Sequence, residues 1–399
     1  MTANEFLTDK SFEPLNYNLK VARDKNNIKV LGVGGAGSNA VNNLYNEGVE
    51  GVTFVVLNTD DQALQNSPVQ KQILLYDAKD PFARLGAGGN PEKARQVAEA
   101  TLPEIEEILK ENTQMAFITA GMGGGTGTGA APVIAQACHK LGVLTVGIVT
   151  LPFEFEVEEK MEQALRGVIK MLPFVDSLLI IQNAKIPERF PEAKFSQFMK
   201  YADKVLADAV KSVVEIITKY GYVNVDFADV YNTLKGGGRT VIDSGIADGD
   251  NRVQDAFEDA LNSPLLYKFQ IEKAEKVLIA FHTSTSNEIS SPEIKEITKQ
   301  IRGRLQKSAK FIWGAYFDDS LGDNLKVTIL ATGANEEVLP EDLTEMPEYK
   351  SVILLDNPPV LPIDDASTII NPNIVSLSDL DNDDLLSKYQ NEAAYERIG

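Results

Sequence analysis

Gly121-Met-Gly-Gly-Gly-Thr-Gly-Thr-Gly129 is the most informative stretch of this 399-residue chain. Six glycines and two threonines stand there between two apolar elements. Met115-Ala-Phe-Ile-Thr-Ala120 comes before and reads as a buried strand. Ala130-Ala-Pro-Val-Ile-Ala-Gln-Ala-Cys138 comes after and reads as a helix with Pro132 near its first turn. A strand end facing a helix start leaves backbone N–H groups unpaired, and the helix dipole favours an anion there. Glycines at this density cost chain entropy. The pattern predicts close approach of a polyphosphate to the backbone.

Similar turns recur on either side. Ile28-Lys-Val-Leu31 opens a strand that runs into Gly32-Val-Gly-Gly-Ala-Gly-Ser-Asn39, and a helix continues from Ala40. Strand, glycine turn and helix together make a nucleotide-binding opening, although G-x-G-x-x-G alone is a weak signal. Gly51 to Leu57 reads as a second strand ending at Asn58-Thr-Asp60. Leu85-Gly-Ala-Gly-Gly-Asn-Pro91 is a third glycine turn, with Asn90 as an N-cap and a helix over 92–112 behind it. Strands at 144–149 and 177–181 and a helix at 158–171 follow. Strand and helix alternate throughout, which predicts a doubly wound parallel sheet with its glycine loops at the strand carboxyl ends.

The apolar positions Phe198, Ala202, Val205, Leu206, Ala209, Val210, Val213 and Ile217 lie at helical spacing in a helix over 196–220, long enough to span two domains. From Lys276 the pattern changes. Strands at 277–281, 311–317 and 326–330 with a helix at 292–307 predict a smaller α+β domain, with a four-stranded sheet. The expected organisation is an N-terminal arm at 1–26, a nucleotide-binding domain at 27–195, a central helix at 196–221, a C-terminal domain at 222–335, an acidic linker at 336–384 and an end peptide at 385–399. Arm and linker are expected to be disordered.

Net charge is −20, which argues against nucleic acid as a main ligand and against binding to anionic lipid. From Glu336 onward fifteen acidic residues face three basic ones, so the tail carries more than half of that imbalance. No apolar run reaches ~18 residues, so no membrane insertion is expected. The polar start carries no signal-peptide pattern. One cysteine, Cys138, rules out a disulfide within the chain and fits a reducing cytoplasm. Two histidines, His139 and His282, make a His-rich metal site or a Ser-His-Asp triad a poor fit, and His139 reads as a solvated helix residue.

The phosphate chemistry narrows by comparison. A P-loop needs G-x-x-x-x-G-K-[ST], and no glycine loop here is followed by Lys-Ser or Lys-Thr. The phosphates would then rest on backbone N–H groups, Thr126, Thr128 and a metal ion. A nicotinamide-binding Rossmann enzyme explains the first loop and Asp60 but leaves the richer second loop unused. Two glycine loops converging on one ligand point to a triphosphate.

G-G-G-T-G-T-G at 123–129 resembles the signature of the tubulin and FtsZ superfamily. The companion motifs agree in order with its FtsZ branch: G-V-G-G-A-G-S-N-A-V at 32–41, N-T-D at 58–60, G-A-G-G-N-P-E at 86–92, P-F-E-F-E at 152–156 and N-V-D-F-A-D at 224–229. G-A-Y-F-D-D-S-L-G-D at 314–323 and A-T-G at 331–333 extend the match, which spans roughly 26–333.

The resemblance implies a GTP-hydrolysing protein of bacterial cytokinesis that polymerises head to tail at mid-cell. It places Gly34, Gly35, Ala36, Gly37 and Ser38 at the phosphates, together with Gly121, Gly123, Gly124, Gly125, Thr126, Gly127, Thr128 and Gly129. Gly86, Ala87, Gly88, Gly89 and Asn90 would line the γ-phosphate side, and Asn58, Asp60 and Pro152 the same pocket. Glu156 would meet the ribose, and Asn183 and Asp203 the guanine edge. A carboxylate accepting from guanine N1 and N2 rejects adenine by leaving buried groups unpaired. Asp226 and Asp229, aided by Asn224, would enter the next subunit's pocket and orient water for attack on the γ-phosphate. Mg²⁺ is the expected ion. The end peptide would dock on membrane-tethering division proteins.

Three departures stand out. Lys160 replaces an arginine and cannot copy its fork. Met199 stands where an aromatic often stacks on guanine. G-G-G-R-T at 236–240 departs from the small-residue turn common there. They leave room for a second reading, a GTP-binding paralogue that co-assembles without efficient hydrolysis.

Overall fold

Mainly apolar runs, buried along almost their whole length rather than on alternate residues, form the centre of a sheet. They are β1 (Ile28–Val33), β4 (Met115–Gly121), β5 (Leu144–Leu151) and β6 (Ser177–Gln182). β2 (Thr53–Asn58) and β3 (Lys71–Leu74) extend one edge. All six are parallel, in the order β3-β2-β1-β4-β5-β6. The order reverses between β1 and β4, so the crevice at their carboxyl ends is the topological switch point, where open α/β sheets bind ligands. Val33 lies beside Ala120 in register, which sets the loops after both strands side by side. The computed structural model describes residues 27–77, 84–261 and 271–333. The expected arm, acidic linker and end peptide lie outside them.

Helices cover both faces. α1 (Gly34–Asn46), α2 (Asp61–Gln65) and α8 (Phe195–Thr218) pack on one side. α3 (Pro91–Ala100), α4 (Leu102–Lys110), α5 (Gly125–Lys140) and α6 (Glu158–Met171) pack on the other. A single turn, α7 (Ile186–Arg189), leads into α8. Cys138 is buried on α5, and burial pushes its thiol up to about 12. His139, next to it, is exposed as expected.

α8 has 24 residues, about 36 Å at the α-helical rise. It runs alongside α1 in the same direction: Asn39 meets Asp203, and eight residues on Glu47 meets Lys211. Its far end lies at the amino ends of the strands. A Cβ on Gly51, just before β2, would fall 2.5 Å from the Thr218 side chain.

Beyond α8 come β7 (Gly221–Val223), α9 (Phe227–Leu234), β8 (Gly238–Ala247) and α10 (Arg252–Leu261). Then follow β9 (Lys276–Thr283), α11 (Ser291–Arg304), β10 (Lys310–Phe317) and β11 (Leu325–Thr332). Their order is β8-β11-β9-β10-β7, with only β9 and β10 parallel. α10 and α11 cover one face. The first two residues of β8 also pair with β6, so the two sheets join edge to edge. Leu206, Val210 and Val213 of α8 share one core with Val30 and Leu144 of the first sheet and Leu278 and Leu330 of the second.

Several expectations need correction. The helix expected over 92–112 is two helices meeting at Thr101, because Pro103 has no N–H to continue the ladder. α5 begins at Gly125, so half of the glycine motif is helix and Pro132 lies inside it. α1 likewise begins at Gly34. The second sheet has five strands, not four, because β7 and β8 join it.

Candidate functional site

The carboxyl ends of β1 and β4 deliver two helix starts into one crevice. Val33 precedes α1 and Gly124 precedes α5, and neither has a side-chain cap. The first N–H groups of both helices therefore lack partners from capping side chains. Ser38 on α1 and Asn183 just after β6 are both buried, and the Ser38 hydroxyl and the Asn183 side-chain oxygen have no hydrogen-bond partner within the chain.

The glycines divide into two kinds. A Cβ on Gly37 would fall 2.2 Å from the Thr119 carbonyl oxygen, on Gly127 2.3 Å from that of Gly121, and on Gly129 2.0 Å from that of Pro91. These positions let the loops and helices close on one another. Around Gly35, Gly88, Gly89 and Gly124 the Cβ position is open space. Those four are exposed, at the two helix starts or in the loop beside them. Gly34 has φ +71°, with Thr126 and Gly127 against it, so the first loop is locked onto the second. Ala36 abuts the Cβ position of Gly121 at 2.8 Å, and Ala87 that of Gly125 at 2.9 Å.

Side chains fix the remaining walls. Thr59 and Thr126 share a hydroxyl hydrogen bond of 2.7 Å, which joins the N-T-D turn to the main motif. The buried Thr128 hydroxyl accepts from the Gly123 N–H at 2.9 Å. Asn58 is buried at the end of β2, and its side chain accepts from Asp60 N–H. Asp60 caps α2 through Gln62 and Ala63, and Asn90 caps α3 through Glu92 and Lys93. Gln163 on α6 donates to the carbonyls of Gly123 at 2.9 Å, Gly124 at 3.2 Å and Gly89 at 3.3 Å. Neither Gln163 nor Thr59 was legible as a site residue, because nothing local marks a residue that ties distant loops.

Toward α8 the lining changes. Asn39 donates to the Asp203 carboxylate at 3.0 Å. Burial pushes Asp203 up to about 6, against the pull of Asn39. Met199 stands exposed one turn before it. Glu156 accepts from the Phe153 N–H at 3.0 Å and pairs with Lys160 at 2.9 Å. The lysine thus secures the carboxylate expected at the ribose. Pro152 packs at 2.7 Å on the Cβ position of Gly123.

Asn224, Asp226 and Asp229 lie elsewhere, past the far end of α8. The Asp226 carboxylate accepts from Asp229 N–H at 2.8 Å, and the Asp229 carboxylate accepts from Asp226 N–H at 3.2 Å. This reciprocal box caps α9 and holds both carboxylates at its start. The Asn224 side chain accepts from Gly221 N–H at 2.7 Å and closes the turn before them. From Asp203 to the end of α8 is fifteen residues, about 22 Å of helix. The aspartates therefore do not reach the crevice of their own chain.

A doubly wound sheet with two glycine-loop helix starts at its switch point, a long helix and a second sheet define a tubulin-like GTPase. Residues 27–190 match the Tubulin/FtsZ family GTPase domain, and residues 238–335 match the FtsZ family C-terminal domain. The cell division protein FtsZ of Porphyromonas gingivalis is 38% identical over 97% of this chain and 89% of its own. FtsZ 1 of Methanocaldococcus jannaschii is 39% identical over 83% of this chain and 89% of its own. An empty FtsZ dimer from M. jannaschii superposes with a TM-score of 0.71 at 40% identity, covering 77% of this chain and 88% of that one. CetZ2 from Haloferax volcanii, in a GTPγS-bound protofilament, shares the fold at TM-score 0.66 and 21% identity. The chain belongs to the FtsZ family.

Proposed function

We propose that this GTPase builds head-to-tail filaments for cell division and hydrolyses GTP only where two subunits meet. One observation carries the reading: the glycine cradle and the Asp226–Asp229 pair sit at opposite ends of α8. A contact that joins one end to the other of the next copy is heterologous and does not close, so it gives an open filament. Both ends expose apolar surface. Phe155 and Phe195 are 54% and 63% exposed beside the crevice, and Tyr220 and Tyr222 are 77% and 75% exposed beside Asn224. Patches of this kind mark interaction surfaces.

In the proposed site GTP lies across the two helix starts, with its guanine toward Asn183 and Asp203. Gly35 and Gly124 offer backbone N–H groups to the phosphates, and Gly88 and Gly89 border the γ-phosphate. Asp226 and Asp229 of the next subunit orient a water in line with the γ-phosphorus. The new P–O bond forms as the bond to the β–γ bridging oxygen breaks, which releases GDP and phosphate. Among the described residues no group of three or more His, Cys, Asp or Glu is placed to hold a metal. Mg²⁺ would come with the triphosphate, as this ion commonly does, and would supply neutralisation of phosphate charge.

Among the described residues no helix is long and apolar enough to cross a membrane. Attachment at mid-cell would run through the end peptide, 385–399, to a membrane-tethering division protein. Sedimentation with GTP and with GDP, alongside GTPase rate against protein concentration, tests the reading. The rate should rise steeply above a threshold, with polymer in GTP alone. Polymer without phosphate release would support the co-assembling paralogue instead.

A further inference from the structure

The segment between α8 and α9 carries Asn224 and Asp226, with Asp229 in the first turn of α9, yet one of its main anchors comes from the second sheet. Tyr316 on β10 is buried, and its hydroxyl accepts from the Val225 N–H at 3.1 Å. The same hydroxyl donates to the Ile216 carbonyl, also at 3.1 Å. Ile216 lies in the last turn of α8, where carbonyls have run out of helical partners. Val225 directly precedes Asp226. A single oxygen thus links the end of the long helix to the residue before the paired aspartates.

The surroundings are built for that reach. A Cβ on Gly314 would lie 2.9 Å from the Tyr316 ring and 2.9 Å from Val225 Cγ2, so only glycine leaves the path open. From the other strand His282 stacks on the Tyr316 ring, with centroids 5.2 Å apart and planes at 22°. His282 is buried and neither of its ring nitrogens has a partner, so it contributes surface and not a hydrogen bond. Val225 and Ile216 are themselves buried, so water does not replace the hydroxyl at either one.

We infer that Tyr316 is a positioning residue for hydrolysis: its hydroxyl sets the aim of Asp226 and Asp229 by tying Val225 to the last turn of α8. The inference rests on the proposed role of those aspartates. It extends the site to a residue about ninety positions downstream, on the other sheet. Any displacement of the end of α8 is handed to the aspartates through this bond.

Tyr316→Phe keeps the stacked ring and removes the link. Its kcat should fall about tenfold, equivalent to ~1.4 kcal/mol of barrier, with GTP affinity of the monomer and pelleted polymer within about twofold of the parent. A kcat within about twofold of the parent, or a loss of GTP affinity matching the loss of rate, would overturn the inference. The unaltered chain gives a second test. Amide exchange at Val225 should be slowed at least about tenfold against an unprotected amide. Exchange at the unprotected rate overturns the bond itself. Asp229→Ala separates the two levels. Full turnover in that variant removes the proposed role of the aspartates. An inactive Asp229→Ala beside a fully active Tyr316→Phe removes only this inference.

Discussion

Asn39 and Asp203 are 164 residues apart in the chain and 3.0 Å apart in space, the amide of one donating to the carboxylate of the other. The bond crosses from α1 to α8 beside the crevice, where burial raises the carboxyl to about 6. Guanine donors need the charged form. GTP affinity should therefore decline as pH falls through about 6. Asp203→Asn should weaken GTP about tenfold to a hundredfold at pH 7.5, through loss of charge-assisted bonds. The gap between parent and variant should narrow by pH 5.5. Phosphate titration is common to both proteins, so the ratio of their affinities isolates Asp203. The sign for stability is opposite: a raised carboxyl pKa favours the folded state at low pH, and that contribution is lost between about pH 4 and 6.

Asp226→Asn should separate charge from capping. Asparagine caps a helix about as well as aspartate, so α9 should keep its stability to within a few tenths of a kcal/mol. Turnover should fall about a hundredfold, the scale of a lost general-base contribution. Thermal melting and steady-state phosphate release check the two halves. An Asp226→Asn protein with parental turnover would show that its charge takes no part.

Gln163→Ala should loosen the cradle without touching the ligand. Three carbonyls of two glycine loops lose their shared donor. Each bond contributes modestly, and the acceptors can turn to water. GTP affinity should drop about tenfold, read by nucleotide titration of the monomer, with little change in melting temperature.

Tyr222→Ser should act on assembly alone. The side chain is exposed in the single molecule and makes an edge contact with Phe317. Losing a buried aromatic anchor at a subunit contact costs ~2 kcal/mol or more, which should raise the critical concentration at least tenfold. GTP affinity of the monomer should stay unchanged. Sedimentation over a concentration series measures the first, and nucleotide titration the second.

The parallel half of the fold was legible because its inner strands are mainly apolar and two of them, β1 and β4, end in glycine turns. β3 escaped because four residues of an edge strand, Lys71-Gln-Ile-Leu74, show no period. β8 escaped behind Gly236-Gly-Gly238, which reads as a turn, while Asp243 and Ser244 interrupt its apolar run. The glycine loops were marked by composition, but the division of labour among their glycines was not. Gly35 and Gly129 are the same letter, yet one faces open space and the other closes on the Pro91 carbonyl. Asn39, Thr59, Gln163 and Tyr316 act through partners far along the chain, and no local spacing announces such pairs.

The shared core around α8 bears on how the molecule falls apart. Leu206, Val210 and Val213 are buried with residues of both sheets, so parting the sheets exposes apolar helix surface on either piece. A fragment ending before residue 195 would keep α1 and α2 on that face of the first sheet but lose the cover of α8, and a fragment starting after 220 would keep only α9 on the matching face of the second. Neither half should fold as a self-sufficient unit. The described chain should melt in one cooperative step, and a gene cut at the sequence boundary between its two halves should yield two insoluble products.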